Sequence, residues 1–471
     1  MKQTKIIATL GPASGTPDMI KQLINAGVDV FRINFSHGTR EVQQKNIGNI
    51  REAAKELGKV VAIMGDLQGP KIRVSKFAEG KVELKPDQSF ILDCAYKELG
   101  NDTIVGVDYA QLAGDVAAGD TLLLDDGKIA LIVEKVQGDK VYTKVTQAGV
   151  LSNNKGINKQ GGGLTAPALT TKDFADIEFA CHANLDYIAV SFVRDATDIA
   201  LTRTFIATHS GHASIIAKIE RVEAITNMNE IAKSCDGIMV ARGDLAVEVG
   251  DAQVPALQKR MIKIARKHNK LTIVATQMLE SMITSPVATR AEVSDIANAV
   301  LDGTDAVMLS AETASGAYPL AAVSVMARTC IEAERNREVS LDLDLSGQKF
   351  DYINQAVAMS TLFSAYHLQA KAIIALTTSG ATALWLSRIN IGIPVYALTD
   401  SNKAAQQMAL YNNVHPIMVD NKAKDTTDLR VEAKKTLLDS KLITNGDTVL
   451  ITCGDNLHEI GGTNSMKIET W

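Results

Sequence analysis

Charged and hydroxyl side chains recur in this chain at the ends of short apolar runs. Arg32, Asn34 and Ser36 close the run VFRINFS (30–36), and Asp66 closes VVAIMGDL (60–67), with Lys71 and Arg73 just beyond. Ser191 and Arg194 follow YIAVSF (187–192), and Lys218 and Glu220 stand two apart at the end of SIIAKIE (214–220). Arg242 and Asp244 lie in GIMVARGDL (237–245), Thr276 and Gln277 in LTIVATQML (271–279), and Ser310 and Glu312 in AVMLSAET (306–313). Side chains two apart on a strand share a face, so these groups point to one end and one interior. A salt bridge at a rim explains any single charge of this kind. The same placement on seven runs calls for a site.

The residue types narrow the chemistry. Glu220 and Asp244 are two hard carboxylates, while the eight histidines are scattered and form no His-x-x-x-His pair, which disfavours zinc. Two carboxylates suit Mg²⁺ or Mn²⁺, which keep most of their coordination for water and phosphate oxygens. Arg32, Arg73 and Lys218 exceed what two carboxylates need, which points to a polyanionic substrate. The amides of Gly243 and Asp244, at the start of a loop or helix, would make a carboxylate or phosphate cradle. Neither G-x-x-x-x-G-K-[ST] nor G-x-G-x-x-G occurs, so a nucleotide must be held by other means. From these residues alone, the chain reads as a divalent-metal enzyme acting on a small phosphorylated or carboxylated compound.

Such groups need a scaffold that gathers strand ends. TKIIATL (4–10) and the seven runs above are strand candidates, separated by helical stretches such as 39–57, 221–235 and 254–269. Asp173 and Thr289 precede periodic runs with acids in the first turn, as helix caps do. Eight apolar strands, nearly all followed by a helix, predict an α/β fold built on a parallel (β/α)8 barrel, which carries its chemistry at the C-terminal strand ends. An open doubly wound sheet alternates too, but rarely gives eight units in sequence. Residues 70–168 lose the helical period and predict an inserted all-β domain, KVELKPDQSFILDC and DTLLLDDGKIALIVEKV among its runs. Past residue 340, the helix 351–368 and the runs KAIIALT, VYALT, HPIMV and TVLITC predict a further α/β domain, with SLDLDLSGQ (340–348) as linker. The expected division is 1–69 with 169–340 for the barrel, 70–168 for the insert (a β-barrel lid) and 341–471 for the C-terminal domain.

Composition sets outer bounds. The 471 residues are 46% hydrophobic and 22% charged, ordinary for a globular protein, and exclude a disordered tail or collagen-like repeat. A formal charge of -5 gives no field for nucleic acid or anionic lipid. No apolar run is long enough for a membrane helix, and IIATL is too short for a signal-peptide core. The five cysteines lie far apart, with no C-x-x-C pair, and read as buried free thiols of a cytoplasmic enzyme.

The segments TKIIATLGPAS (4–14), RINFSHG (32–38), GDLQGPKIR (65–73), AKIER (217–221), IMVARGDLAVE (238–248), ATQMLESM (275–282) and TRAEVSDIANAVLDGTDAVMLSAETASGAYP (289–319) together resemble the pyruvate kinase family. The resemblance covers the whole chain, since barrel, inserted β domain and C-terminal α/β domain are that family's layout. It implies transfer of the phosphoryl group of phosphoenolpyruvate to ADP, giving pyruvate and ATP, the last step of glycolysis. It implies Glu220 and Asp244 as ligands of Mg²⁺ or Mn²⁺, and Arg32 and Lys218 as clamps on the phosphoryl oxygens. The substrate carboxylate would rest on the Gly243 and Asp244 amides and the Thr276 hydroxyl. Thr276 and Ser310 match positions that feed a proton to the enolate through water. Asn34, His37, Arg73 and Lys172 match nucleotide contacts, with the insert as a closing lid. For His37 a loop-capping role competes with that one. Asp126, in LLLDDGKIAL, either reaches the site from the lid or serves only its Asp-Asp-Gly turn.

One loop departs from the family. Many members need K⁺ beside the substrate phosphate, with the positions of Asn34, Ser36 and Asp66 among its ligands, and carry Thr-Lys-Gly-Pro-Glu here. This chain has Leu67-Gln68-Gly69-Pro70-Lys71. The ammonium of Lys71 can stand in for a monovalent cation and repel a real one, so K⁺ is expected to be dispensable. Ala311, where many relatives have glycine, is expected to matter little. In LTTSGATA (376–383), Thr377, Thr378, Ser379, Gly380 and Thr382 match a loop that binds the phosphate of an activator. A plain helix cap at Ser379 would also explain it. The loop CGDNLHEIGGTNSM (453–466) lacks basic residues for a second phosphate, which favours a singly phosphorylated sugar or nucleotide. The family is typically homotetrameric. A lyase of the wider phosphoenolpyruvate group would not need the insert or Arg73 with Lys172. A retired sensor would have lost Lys218, Glu220, Asp244 or Thr276, and all four are present.

Overall fold

The computed structural model describes residues 2–336, 349–419, 426–455 and 461–471. The expected linker at 340–348 and part of the loop 453–466 lie outside the described residues. Eight parallel strands close into a barrel: Lys5–Thr9, Val30–Asn34, Ala62–Asp66, Tyr187–Val190, Ser214–Ile219, Gly237–Ala241, Leu271–Ala275 and Ala306–Leu309. Neighbours follow chain order, and the ring closes where Lys5 pairs with Ala306.

Each strand is shorter than its apolar run, because the run's last residues turn into the barrel mouth. Arg242–Val249 is a helix, as is Ala311–Ala314, and Phe192, Thr276 and Gln277 take left-handed backbone angles of φ 55, 71 and 53°. These departures sit where the strand ladders stop, so the polar side chains are aimed by turns rather than by pleats. The expected helix 221–235 is two helices, Val222–Thr226 and Met228–Ser234, broken at Asn227, whose amide donates to the Arg194 carbonyl at 3.0 Å. Thr289 caps Arg290–Leu301 as expected, in a capping box with Glu292. Asp173 is not a cap. Thr170 caps Thr171–His182, and Asp173 is the acid that reaches back to it.

Alternate residues of the strands face different partners. Ile6, Phe31, Ile63, Ile188, Ile215, Ile238, Val274 and Val307 pack outwards on the helices. Ile7, Val30, Met64, Ala189, Ile216, Met239, Ile273 and Met308 fill the interior, in a cluster that runs on into Leu410, Tyr411 and Val414 of the C-terminal domain. That domain therefore closes the floor of the barrel. Its docking is polar at the centre: Arg388 pairs with buried Asp305 and donates to the Lys270 carbonyl at 2.8 Å. Lys5 donates to the Val414 carbonyl at 2.6 Å, and the Tyr187 hydroxyl to the Gln407 carbonyl at 2.6 Å.

The insert between the third and fourth barrel strands is all-β apart from the short helix Leu112–Asp115. Its ladders form a six-stranded sheet, in the order Ile157–Lys159, Thr121–Leu124, Ile129–Gln137, Lys140–Gln147, Ser89–Asp93, Ile104–Gly106, and a ribbon of Gly149–Ser152 with Lys81–Leu84. The segment 73–77 bridges the two edges of that sheet, Arg73 pairing with Gly156 beside Ile157–Lys159 and Val74 with Val107 beside Ile104–Gly106. Phe90, Leu92, Leu122, Leu131 and Val141 give the insert a core of its own.

The C-terminal sheet runs Val414–Met418, Val395–Thr399, Ala372–Leu376, Thr448–Gly454, Thr463–Thr470. The first four are parallel; the fifth is antiparallel and was not legible, because TNSMKIET is an exposed edge with few apolar residues to show a period. The five cysteines are buried and free. Among the described residues no helix is long and apolar enough to cross a membrane.

Candidate active site at the barrel mouth

Strands two, three and five bring their charges into one buried network. Asp66, at the end of Ala62–Asp66, receives Arg32 Nε on Oδ2 at 2.5 Å and faces Lys218 Nζ across 3.2 Å. Lys218 Nζ also lies 3.0 Å from Glu220 Oε1 and donates to Ser191 Oγ at 2.6 Å. Ser191 passes the chain on to the Leu67 carbonyl at 2.7 Å. Arg32 Nη1 donates to Thr9 Oγ1 at 3.1 Å, which ties strand one to the set.

Burial and charge oppose one another here, and the sign of each outcome is clear. Burial works against the charge of Asp66, but Arg32 and Lys218 outweigh it and hold its carboxyl below the ordinary range. Burial likewise works against Lys218, yet Asp66 and Glu220 hold its ammonium above the usual lysine value, so it stays charged. Glu220 goes the other way: burial pushes it up, helped by Asp244 and resisted by Lys218. A carboxylate in that condition gains from a cation.

The residues fit a divalent ion of one kind. Glu220 is 1% exposed and Oε2 accepts the Phe192 amide at 2.7 Å, which orients it. Asp244 follows one strand over, in the first turn of Arg242–Val249. Among the described residues no group of three or more His, Cys, Asp or Glu could hold a metal. Two carboxylates without a full protein cage are the donor set of an ion such as Mg²⁺ that takes its other ligands from water and substrate.

The carboxylate cradle is partly filled by the protein. The Gly243 amide donates to Thr276 Oγ1 at 2.9 Å, and that hydroxyl donates to the Ala275 carbonyl at 2.6 Å. Thr276 is β-branched and left-handed, which costs energy. Arg242 holds it there: its guanidinium donates to the Thr276 carbonyl at 2.6 Å and the Ala275 carbonyl at 3.2 Å while pairing with Asp295 at 2.7 Å. Sequence reading missed Asp295, although its position in the run TRAEVSDIANAV is a legible signal. Glu312 does not face the mouth. Its carboxylate accepts the Ser310 amide at 2.7 Å and the Leu279 amide at 3.1 Å, so it fastens Ser310 and the seventh strand's loop.

The other predicted residues divide between two places. Lys172 donates to the Phe35 carbonyl at 2.6 Å and pairs with Asp176 at 2.7 Å, which puts it beside the turn carrying Asn34 and His37. Asn34 Oδ1 accepts the Ser36 amide at 3.0 Å, and His37 is exposed with its carbonyl bonded to Gln43. Arg73 belongs to the insert: its amide donates to Asp108 at 2.7 Å and its guanidinium to the Asn154 carbonyl at 2.9 Å. Arg194 pairs with Asp198 at 3.0 Å, a rim salt bridge after all.

Lys71 reaches across the mouth. Its ammonium is 3.5 Å from Asp244 Oδ1 and 3.9 Å from Asp126 Oδ1. Asp126 serves both readings at once. It lies in a left-handed turn, Asp125-Asp126-Gly127 with φ 50, 56 and 85°, and it faces the site through Lys71.

In the C-terminal domain, Thr377 Oγ1 accepts the Gly380 amide at 2.9 Å, and Gly380 is left-handed at φ 79°. The helix cap is Gly380, not Ser379. Thr382 turns away and bonds Thr463 at 2.7 Å in a buried contact. Thr378 and Ser379 are half-buried in the same loop.

Residues 1–323 match the pyruvate kinase barrel domain, and residues 355–469 match the pyruvate kinase alpha/beta domain. The chain is 48% identical to pyruvate kinase II of Salmonella typhimurium, over 100% of this chain and 99% of that one. It is 45% identical to a pyruvate kinase of Haemophilus influenzae, with 96% of each covered. A crystal structure of a pyruvate kinase from Cryptosporidium parvum superposes with a TM-score of 0.93 at 35% identity, covering 100% of this chain and 96% of that one.

Proposed function

The chain belongs to the pyruvate kinase family and is a phosphotransferase, and from that premise we propose that it transfers the phosphoryl group of phosphoenolpyruvate to ADP with Mg²⁺ or Mn²⁺ and without a K⁺ requirement. The observation that carries the substrate side is the buried network of Arg32, Asp66, Lys218 and Glu220. Phosphoryl transfer has a loose transition state, so positioning and charge neutralisation supply most of the rate. Arg32, paired with Asp66, and Lys218, held between Asp66 and Glu220, would clamp the phosphoryl oxygens. Glu220 and Asp244 would hold the divalent ion, which supplies charge neutralisation at the bridging and phosphoryl oxygens.

The phosphorus–oxygen bond to the enol oxygen breaks as a terminal oxygen of ADP takes up the phosphoryl group. Negative charge is left on an enolate, which Lys218 would stabilise. A proton then reaches the methylene carbon, and Thr276 and Ser310 would relay it through water. The Gly243 and Asp244 amides with Thr276 would take the substrate carboxylate, which means that the Thr276 hydroxyl must share its bond to Gly243. The nucleotide would meet Asn34, His37 and Lys172 from the barrel and Arg73 from the insert, which acts as a lid.

Dispensable K⁺ is supported by Lys71, whose ammonium neutralises Asp244 where relatives carry glutamate. It lies at the divalent-ion carboxylate rather than beside Asp66, so it replaces the positive charge of K⁺ without taking its ligands. The loop Thr377, Thr378, Ser379, Gly380 and Thr382 would bind a singly phosphorylated sugar or nucleoside monophosphate as activator. A homotetramer is supported by the exposed Tyr352, Ile353 and Phe363 at the helix Ile353–His367 and by the edge strand Thr463–Thr470 in the same domain. These properties fit a cytoplasmic enzyme.

The test is pyruvate formation from phosphoenolpyruvate and ADP with Mg²⁺ in buffer free of K⁺, beside the same assay with K⁺ added. Full activity in both supports the whole reading. Activity only with K⁺ keeps the kinase and removes the role given to Lys71. No activity in either, with sugar phosphates present, removes the kinase reading.

A further inference from the structure

The insert rejoins the barrel through Gly161, Gly162 and Gly163, all left-handed at φ 84, 79 and 93°. Three such residues in a row make a soft joint, since each is free to change its angles without a side-chain penalty. Yet this joint is tied down on one side. The Gly163 amide donates to Glu223 Oε1 at 2.6 Å, and the Gly161 amide to the Glu248 carbonyl at 3.0 Å. Gly162 lies flat on the same residue, where an added Cβ would sit 3.0 Å from Glu223 Oε1. Arg221, 4% exposed, donates to the Leu164 and Ala166 carbonyls at 3.0 and 3.2 Å.

What grips the joint is the same chain that carries the two candidate metal ligands. Arg221 is the residue after Glu220, and Glu223 lies two further on. Glu248 ends the helix that Asp244 begins, and its Oε2 accepts the Val222 amide at 3.0 Å, locking the two segments together. Glu223 is held at a cost: Oε2 is buried with no hydrogen-bond partner in the structure. A half-satisfied carboxylate beside a soft joint is not what packing alone would select.

We propose that Glu223 is a positioning residue that sets the pose of the insert over the barrel mouth, by holding the Gly163 amide against the segment that carries Glu220. The inference rests on the reading of the insert as a lid over the nucleotide. Occupation of Glu220 would be relayed to the joint through Arg221 and Glu223, with no residue of the insert needing to touch the substrate first.

The test compares Glu223→Ala, Glu223→Gln and Gly162→Ala in the full-length protein, by amide hydrogen exchange across 70–168 and by steady-state kinetics. Glu223→Gln keeps a carbonyl oxygen for the Gly163 amide and is expected to behave as the parent. Glu223→Ala and Gly162→Ala, which break the contact from opposite sides, are expected to speed exchange throughout the insert and to raise the KM for ADP about tenfold. The KM for phosphoenolpyruvate should stay within about twofold, a split that general destabilisation would not give. Unchanged exchange in Glu223→Ala overturns the proposal, as does a Glu223→Gln variant as impaired as the alanine. Faster exchange with an unchanged KM for ADP keeps Glu223 as the holder of the insert and removes the lid reading instead.

Discussion

The Lys71 ammonium lies 3.5 Å from Asp244, one of the two carboxylates proposed as ligands of the divalent ion, and 3.9 Å from Asp126 on the insert. One lysine therefore links the barrel, the ion site and the insert. Its stem leaves the chain where the insert begins, so any movement of the insert carries its charge along.

Reversing that charge is the direct check. Lys71→Glu is expected to lose about tenfold or more in activity without K⁺, because a third carboxylate beside Asp244 needs a cation. Added K⁺ should restore the rate. Undiminished turnover of this variant in K⁺-free buffer would sink the idea.

Glu220 is pushed up by burial and by Asp244, against the pull of Lys218, so its charge is held at a cost that a cation relieves. Mg²⁺ favours the charged form and should raise the melting temperature at neutral pH, an effect that fades as the pH falls and protons compete. Glu220→Gln should lose activity by a factor on the order of 10³ and abolish the Mg²⁺-dependent rise in melting temperature. A variant that still melts higher with Mg²⁺ would place the ion elsewhere.

Glu248 is pushed up to about 7 from an ordinary 4.5, chiefly by burial. A carboxyl raised on folding binds its proton more tightly in the native state. It costs nothing below about pH 4.5, where both states are protonated, and it costs progressively more as the pH rises to 7. Glu248→Gln is expected to remove that loss, worth at most about 3 kcal/mol. Urea unfolding at pH 5 and pH 8 reads it: the variant's gain over the parent should appear at pH 8 and shrink at pH 5. Equal differences at the two values would show that the group does not titrate there.

Arg388 and Asp305 form a buried pair between the C-terminal domain and the barrel floor. Arg388→Met leaves Asp305 buried without its ion-pair partner, with a cost of about 3–5 kcal/mol. Denaturant unfolding should show either that loss in one step or separate melting of the C-terminal domain. A variant as stable as the parent would mean that the amides of Asn412 and Thr272, which also reach Asp305 at 3.3 and 2.9 Å, suffice.

The sequence by itself determined the barrel and the site's chemical character. Period and run length are local properties, and eight apolar runs ending in charges can be read without knowing what faces them. Residue type and a shared place at the ends of apolar runs suggest Glu220 and Asp244 as ion carboxylates, with Lys218 two residues before Glu220. Only the tertiary structure decided which partner each charge takes. Lys71 went to Asp244 rather than to the neighbourhood of Asp66, Glu312 to two backbone amides, and Arg242 to the strained turn at Thr276. Those outcomes depend on turns at strand ends and on residues distant in the chain, where no period exists to be read. The grip of Glu223 on Gly163, across 60 positions, is the clearest case. The contact exists because the returning end of the insert crosses the turn that follows Glu220 on its way to the helix Thr171–His182.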